Sequence, residues 1–277
     1  MKLNVIAKHI SKEYIQNQKV DAVILTGSVS RNWEDEYSDI ELFLLWKESP
    51  TDEERMKVIY QVNGRLIDFY PYEEEEWSES YVSQGIKLEM SHFLTKTIEK
   101  VVHDVTHHFH TDLDKQCLVA AIRNGVLLEE RSTQKAIQTM VRGYPDRLTD
   151  AMIKEYSDLG TRWGNREALL EREDWLLLYK VIVSVQEHLM AILFSLNKMY
   201  VHHPGFKWQK HSLLEMKIKP RDAYNRFESI LLNHPKRGLR ELEVIVQEVF
   251  ELVRKVRPSL DVSEAIERSL LLRPKGQ

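Results

Sequence analysis

Residues 25–46 read LTGSVSRNWEDEYSDIELFLLW, and two strands joined by a turn can be traced in that stretch. The run that leads into it, Val20 to Thr26 (VDAVILT), is β-branched, ends at Gly27 and reads as a buried strand. Ser38 to Trp46 (SDIELFLLW) reads as a second strand. Gly27 lets the backbone turn sharply and puts no Cβ in the way of a phosphate. Ser28 offers a hydroxyl and backbone N–H groups at a helix start, where the dipole favours anions. Asp39 and Glu41 are two apart on a strand, so they share a face. Two carboxylates held side by side repel, and Mg²⁺, which takes a few carboxylates plus phosphate oxygens, is the usual remedy. An acidic pair on an exposed strand is more often a solvated face, and Gly-Ser is a common turn. Here Ile40 and residues 42–45 are apolar, so the strand is interior and its acids need a partner.

Outward from this stretch, Leu3, Ile6, Ile10 and Tyr14 recur at helical spacing and predict an opening helix. Thr51 followed by Glu54 has the capping-box spacing, which starts a helix running to about Val62. Gly64 then breaks the chain and Arg65 to Tyr70 (RLIDFY) reads as a third strand. From about Ser80 apolar residues recur at three and four. Turns are expected at Gly143–Asp146, His203–Gly205 and Asn233–Pro235, with long helices over Trp175–Leu196 and Glu241–Val256. No repeat or low-complexity tract is present. The expected fold is α+β: a small α/β domain with a mixed sheet at residues 1–80, then a larger all-helical domain at 81–277.

The chain has 277 residues, 39 Lys+Arg against 43 Asp+Glu, and a net charge of −4. That balance argues against a protein that coats nucleic acid. A single cysteine, Cys117, excludes an internal disulfide framework and fits a reducing cytosol; among apolar neighbours it reads as a core filler. Lys8, Lys12 and Glu13 interrupt any signal-peptide core, and Lys180 with Gln186–His188 interrupts the apolar helix, so a cytoplasmic protein with no membrane span is expected. Charge is unevenly divided. Residues 1–80 carry a net of −8 and residues 198–240 a net of +7.

The pattern hydrophobic-Gly27-Ser28, a spacer of ten and Asp39-x-Glu41 resembles the polymerase-beta-type nucleotidyltransferase superfamily. In that family the Gly-Ser turn holds the triphosphate of a nucleotide, and the acidic pair binds catalytic magnesium with a third carboxylate from a neighbouring strand. By position, Gly27 and Ser28 fill the turn, Asp39 and Glu41 the pair. Asp68, the acid of the next expected strand, takes the third place, and Arg31 and Ser38 fit the frequent form Gly-Ser-x-x-Arg…Ser-Asp. The helical part resembles more loosely the C-terminal halves of bacterial antibiotic nucleotidyltransferases, on residues 196–200 and Pro204-Gly205-Phe206-Lys207-Trp208. Lys207 would there reach a triphosphate as a point charge, or else extend over Trp208.

The resemblance implies transfer of a nucleoside monophosphate, AMP from ATP or another NTP, with two Mg²⁺ ions, onto a hydroxyl of a small acceptor such as an aminoglycoside or lincosamide. Asp68 is the nearest base, with Glu89, Glu129 and Asp174 as alternatives. A protein or RNA acceptor and a silent binding protein on the same fold are the rivals. The acidic run Glu73–Glu76 fits either a cationic substrate or a solvated turn. His103, His107, His108 and His110 form a cluster in which His103 and His107 share a helix face, yet no acid or cysteine completes a zinc set. No P-loop, dinucleotide fingerprint or hydrolase elbow occurs.

Overall fold

Strand β1, Val20–Leu25, is buried at all six positions and has strands on both its edges; Val20, Val23 and Leu25 pack in a core with α1. In the computed structural model, which describes residues 2–131, 139 and 141–274, the chain falls into two compact units. The first comprises Met1–His108 and Cys117–Gly143, the second Phe109–Gln116 and Tyr144–Gln277. The fold is α+β, with a mixed sheet in the first unit and helices in the second.

In the first unit α1 (Lys2–Ile15) precedes β1, and the short helix α2 (Gly27–Ser30) leads to β2 (Ile40–Trp46). Helix α3 (Asp52–Gln61) begins at the expected capping box: Thr51 Oγ1 accepts from the Glu54 N–H, and Glu54 Oε2 accepts from the Thr51 N–H. A meander follows, β3 (Arg65–Glu73), β4 (Glu76–Ser83) and β5 (Ile86–Leu94), then α4 (Thr95–Thr106), α5 (Leu113–Asn124), of which the part from Cys117 belongs to this unit, and β6 (Val126–Glu130). The sheet order is β3-β4-β5-β2-β1-β6; β2 and β5 run parallel and every other pair is antiparallel.

The sheet therefore runs well past residue 80, and the sheet-bearing unit is larger than residues 1–80. The physical reason is period. In Ile86–Leu94 (IKLEMSHFL) Ile86, Leu88 and Met90 alternate with Lys87, Glu89 and Ser91, a two-residue period that suits a strand with one buried face. Ile40, Leu42, Leu44 and Trp46 join Leu88 and Met90 in one core with Ile6, Ile10 and Tyr14 of α1 and Val58 and Ile59 of α3. Glu41 and Glu89 therefore lie on the opposite face of the sheet.

A charge is buried in that core. Glu79 accepts from Arg55 Nε at 2.8 Å, its Oε1 lies 2.6 Å from His92 Nε2, and Tyr14 Oη donates to it at 3.3 Å. Trp46 Nε1 donates to His92 Nδ1 at 2.9 Å; an indole N–H only donates, so Nε2 carries the imidazole proton and donates to Glu79. Arg55 Nη2 donates to the carbonyls of Tyr70 and Ser78. The network ties α1, α3, β2, β3, β4 and β5 together.

In the second unit α6 (Asp146–Tyr156) begins after Pro145, as the turn at Gly143–Asp146 predicted. A 3-10 turn (Thr161–Asn165), α7 (Arg166–Glu171) and α8 (Trp175–Leu196) follow, then α9 (Gln209–Glu215), α10 (Ala223–Leu232), α11 (Pro235–Val256) and α12 (Ser263–Leu270). Helix α11 starts at Pro235, earlier than Glu241, because His234 Nδ1 caps it and proline suits the first helical position. Leu239, Leu242, Ile245, Val246, Val249 and Val253 bury one stripe of α11. Helix α8 is long and apolar enough to cross a bilayer, but 56% of its most apolar window is buried inside the protein.

Burial pushes the Glu79 carboxyl up, but His92 and Arg55 outweigh it and hold it below its ordinary value of 4.5. A carboxyl lowered by folding stabilises the native state fully above the unfolded value and loses that contribution as pH falls through the folded one. Glu79→Ala, which strands a buried guanidinium, should cost about 3–5 kcal/mol in urea unfolding. Asp52→Ala, removing the exposed partner of the same arginine, should cost about 0–1 kcal/mol. Part of the stability difference between wild type and Glu79→Ala should disappear as pH is lowered below 4.5. A difference independent of pH would show that the carboxylate charge is not what the core requires.

Candidate functional site

Strand β1 ends at Leu25, and the next residues bring the turn against the start of β2. The Thr26 N–H donates to the Glu41 carbonyl at 2.9 Å, and its hydroxyl to the same oxygen at 3.3 Å. Gly27 follows in the left-handed region, φ +64°. A Cβ built on Gly27 would lie 2.3 Å from Glu41 Oε1. In this structure the room a side chain would take is filled by the Glu41 carboxylate, and only glycine permits both the φ and the approach.

Ser28 is buried and its hydroxyl donates to Ser38 Oγ at 3.2 Å, while Ser38 Oγ donates to Asp35 Oδ1 at 3.1 Å. Gly27, Ser28, Ser38 and Glu41 thus form one local set, with Asp39 beside Ser38 in the chain. Arg31 lies 5.3 Å from the centre of the Trp33 ring. The Asn124 amide, oriented with its oxygen toward Arg31, accepts from both terminal guanidinium nitrogens at 2.6 and 3.0 Å.

Asp68 stands at the far end of the cross-strand row Asp68–Ser80–Glu89–Glu41, and its charge reaches the set only through Lys87. It lies on β3 at the sheet edge, where Ser80 Oγ donates to it at 3.0 Å. β4 and β5 stand between β3 and β2, so three inter-strand steps, about 14 Å, separate Asp68 from the Glu41 row. The strand beside β2 is β5, whose Glu89 is directly opposite Glu41 in the parallel register. Parallel neighbours in register point the same way, so Glu41 and Glu89 face each other across one step. Lys87, two residues before Glu89 on the same face, contacts Glu89 and lies 3.9 Å from Asp39. The hydrogen bond that Lys87 donates to Glu89 and the charges of Glu89, Asp39 and Asp68 push the Lys87 ammonium up, so it stays protonated.

Among the described residues no three His, Cys, Asp or Glu side chains already converge as a metal set. Lys87 lies among the acids instead. The donors Asp39, Glu41 and Glu89 are nevertheless of the kind a hard divalent cation takes, and two of them oppose each other across adjacent strands. The chemistry of the set fits such an ion, provided Lys87 moves aside. Glu89 was expected only as an alternative base on a helical segment, whereas it lies on strand β5; the alternation in Lys87-Leu88-Glu89-Met90 was the signal for a strand, and nothing local says β5 lies beside β2.

The other expected residues belong to other elements of the chain. Lys207 belongs to the second unit, where burial and the Lys207 charge push the His203 imidazole down. Trp208 meets the His211 ring edge-on at 5.2 Å. Glu129 is on β6 opposite Val23, and Asp174 precedes α8 in the second unit. Glu74 and Glu75 make the left-handed turn between β3 and β4, so the acidic run is a hairpin turn. His103 and His107 stack at 4.5 Å with rings nearly parallel, and His107 Nδ1 is 2.8 Å from Thr106 Oγ1. Cys117 is half-buried.

A family model described as a domain of unknown function (DUF4037) matches residues 110–209. That stretch holds Lys207 but neither the turn nor the three acids. No curated protein matches the chain. Among solved structures, a nucleotidyltransferase-like protein from Exiguobacterium sibiricum 255-15 is 13% identical, covering 92% of this chain and 79% of its own, with a TM-score of 0.41.

Gly27→Ala should lower stability by about 1–3 kcal/mol through its left-handed φ and the collision with Glu41. In a Glu41→Ala background the cost should shrink, because only the backbone strain remains; a double-mutant cycle in urea measures the difference. An equal cost in both backgrounds would mean that the glycine does not accommodate the carboxylate.

Proposed function

We propose that the chain is a divalent-metal-dependent nucleotidyltransferase. The observation that carries this is the Gly27–Ser28 turn packed on Glu41, with Asp39 adjoining and Glu89 directly opposite. Asp39 and Glu41 would hold the cation, and Glu89 replaces Asp68 as the third carboxylate. A bound divalent cation would supply neutralisation of triphosphate charge at the reacting phosphorus. The Gly27–Ser28 turn receives the triphosphate, with the Ser28 hydroxyl released from Ser38. Glu89 is half-exposed and takes the proton of the acceptor hydroxyl as its oxygen bonds to the α-phosphorus. The bond to the β-phosphate oxygen breaks and pyrophosphate leaves.

The donor in this proposal is ATP or another NTP, and the setting is the cytosol. The acceptor is a small cationic, hydroxyl-bearing molecule of aminoglycoside type, drawn by the net charge of −8 on residues 1–80. A lincosamide is the near alternative and should show weaker salt dependence.

Transfer of label from α-labelled ATP, with and without Mg²⁺, across both drug classes tests the proposal. Asp39→Asn and Glu89→Gln should lower turnover by about 10²–10⁴-fold, while Asp68→Asn stays near native. Lys87→Met should tighten Mg²⁺ binding in calorimetry, because it removes a cation that competes for the same acids. Label appearing only on protein or RNA in a lysate would overturn the small-molecule acceptor. Native turnover in Asp39→Asn would overturn the site.

A further inference from the structure

The second unit has a cavity of about 950 Å³ that the nucleotidyltransferase proposal does not use. It lies along the 3-10 turn, the α9–α10 connection, α11 and α12. Its size is at the upper end of ordinary small-ligand pockets, and its wall is mainly apolar. Val244, Leu252, Pro220 and Leu270 line it, and Val244 and Leu270 are half-exposed or more. On α11 Val244, Glu248, Leu252 and Lys255 follow at intervals of four and three, so they form one stripe on the side away from the buried core. The floor is fixed. Trp163 Nε1 donates to the Ser269 carbonyl at 2.8 Å, and the Arg166 guanidinium stacks 4.3 Å from the Trp163 ring.

The charges around this cavity do not balance. Five cations line it, Arg166, Lys219, Arg221, Arg240 and Lys255, against three acids, Glu243, Glu248 and Glu251. Each acid already has a cation: Glu243 has Arg166 and Arg240, Glu248 has Arg226, and Glu251 has Arg254. The Lys219 ammonium donates to the carbonyls of Leu213, Leu214 and Met216 at the end of α9. Arg221 and Lys255 have no side-chain partner among the described residues. Arg166 is 4% exposed; its Nε donates to Glu243 and its Nη1 to the carbonyls of Trp163 and Leu271. An apolar trough with fully paired acids and unpaired cations is complementary to one chemical class.

We propose that this cavity binds a small amphipathic anion, an acyl or aryl carboxylate whose hydrocarbon body lies against Val244, Leu252 and Leu270 and whose charge is met by Arg221 and Lys255. A cationic amphiphile is excluded by the same charges. The site stands independently of the acids on the sheet of the first unit.

Calorimetric titration of the full chain with sodium dodecanoate below its micellar concentration tests this, with 1-dodecanol and dodecyltrimethylammonium as neutral and cationic probes. Saturable 1:1 binding is expected, with the carboxylate about tenfold or more tighter than either analogue, the equivalent of one charge-assisted contact. Arg221→Glu combined with Lys255→Glu should erase the preference for carboxylate over alcohol. Val244→Glu should weaken all apolar probes, with an unchanged melting temperature showing that the fold is intact. No saturable binding, equal binding of the ammonium, or native affinity in both variants would overturn the proposal. Concentration-dependent dimerisation that Val244→Glu abolishes would overturn it too, by assigning the trough to a second copy of the chain.

Discussion

A carboxylate with no solvent exposure, Glu79, holds the first unit in register. Its two oxygens receive an arginine from α3, a histidine from β5 and a tyrosine from α1, and the histidine is oriented by an indole from β2. A buried charge of this kind adds little net stability over a well-packed apolar core, but it tolerates no rearrangement, because any partner that moves leaves a charge unpaired. The consequence is positional. His92 fixes β5 and Trp46 fixes β2, and the parallel register between those two strands is what sets Glu89 opposite Glu41.

The two faces of one sheet then divide the work. Leu88 and Met90 point into the core with Ile40 and Leu42, and the alternate positions are left to carry charge on the other side. Glu41 and Glu89 repel across one strand spacing. Lys87 moderates that repulsion from within the chain, a monovalent substitute for the ion that such a set suits. Gly27 is part of the same economy of space, since the Glu41 carboxylate occupies the position where any other residue would place its Cβ.

The second unit shows the corresponding constraint in helices. Residues 189–196 of α8 are buried on every side, so the surrounding helices must each present an apolar stripe to it. Helix α11 does so with Leu242, Ile245, Val246 and Val249, and Gly238 lets it approach Ile230 of α10, where a Cβ would meet a carbonyl oxygen at 2.2 Å. The opposite stripe of α11 is where the apolar trough and its surplus of cations lie.

The strand–turn–strand of residues 20–46 was legible because its evidence is local: β-branched runs, a glycine, and alternation of apolar and acidic positions. The capping box at Thr51 and the helix breaks at Pro145 and Pro235 were legible for the same reason, since each depends on neighbours within four residues. The order of strands was not. Arg65–Tyr70 follows β2 and α3 in the chain, which made Asp68 the natural third acid, yet the meander β3-β4-β5 carries that strand to the edge and returns β5 to the centre. Sequence neighbours pair by turns, whereas the β2–β5 pairing joins segments some forty residues apart through a shared core and the Glu79 network. For residues 20–46 the sequence alone decided which residues stand on a strand, whereas past Ser80, where helical spacing was expected, β5 and β6 emerged only in the structure. Which strand stands beside which, and so whether Asp68 or Glu89 meets the Asp39–Glu41 pair, was decided by long-range packing that no local pattern encodes.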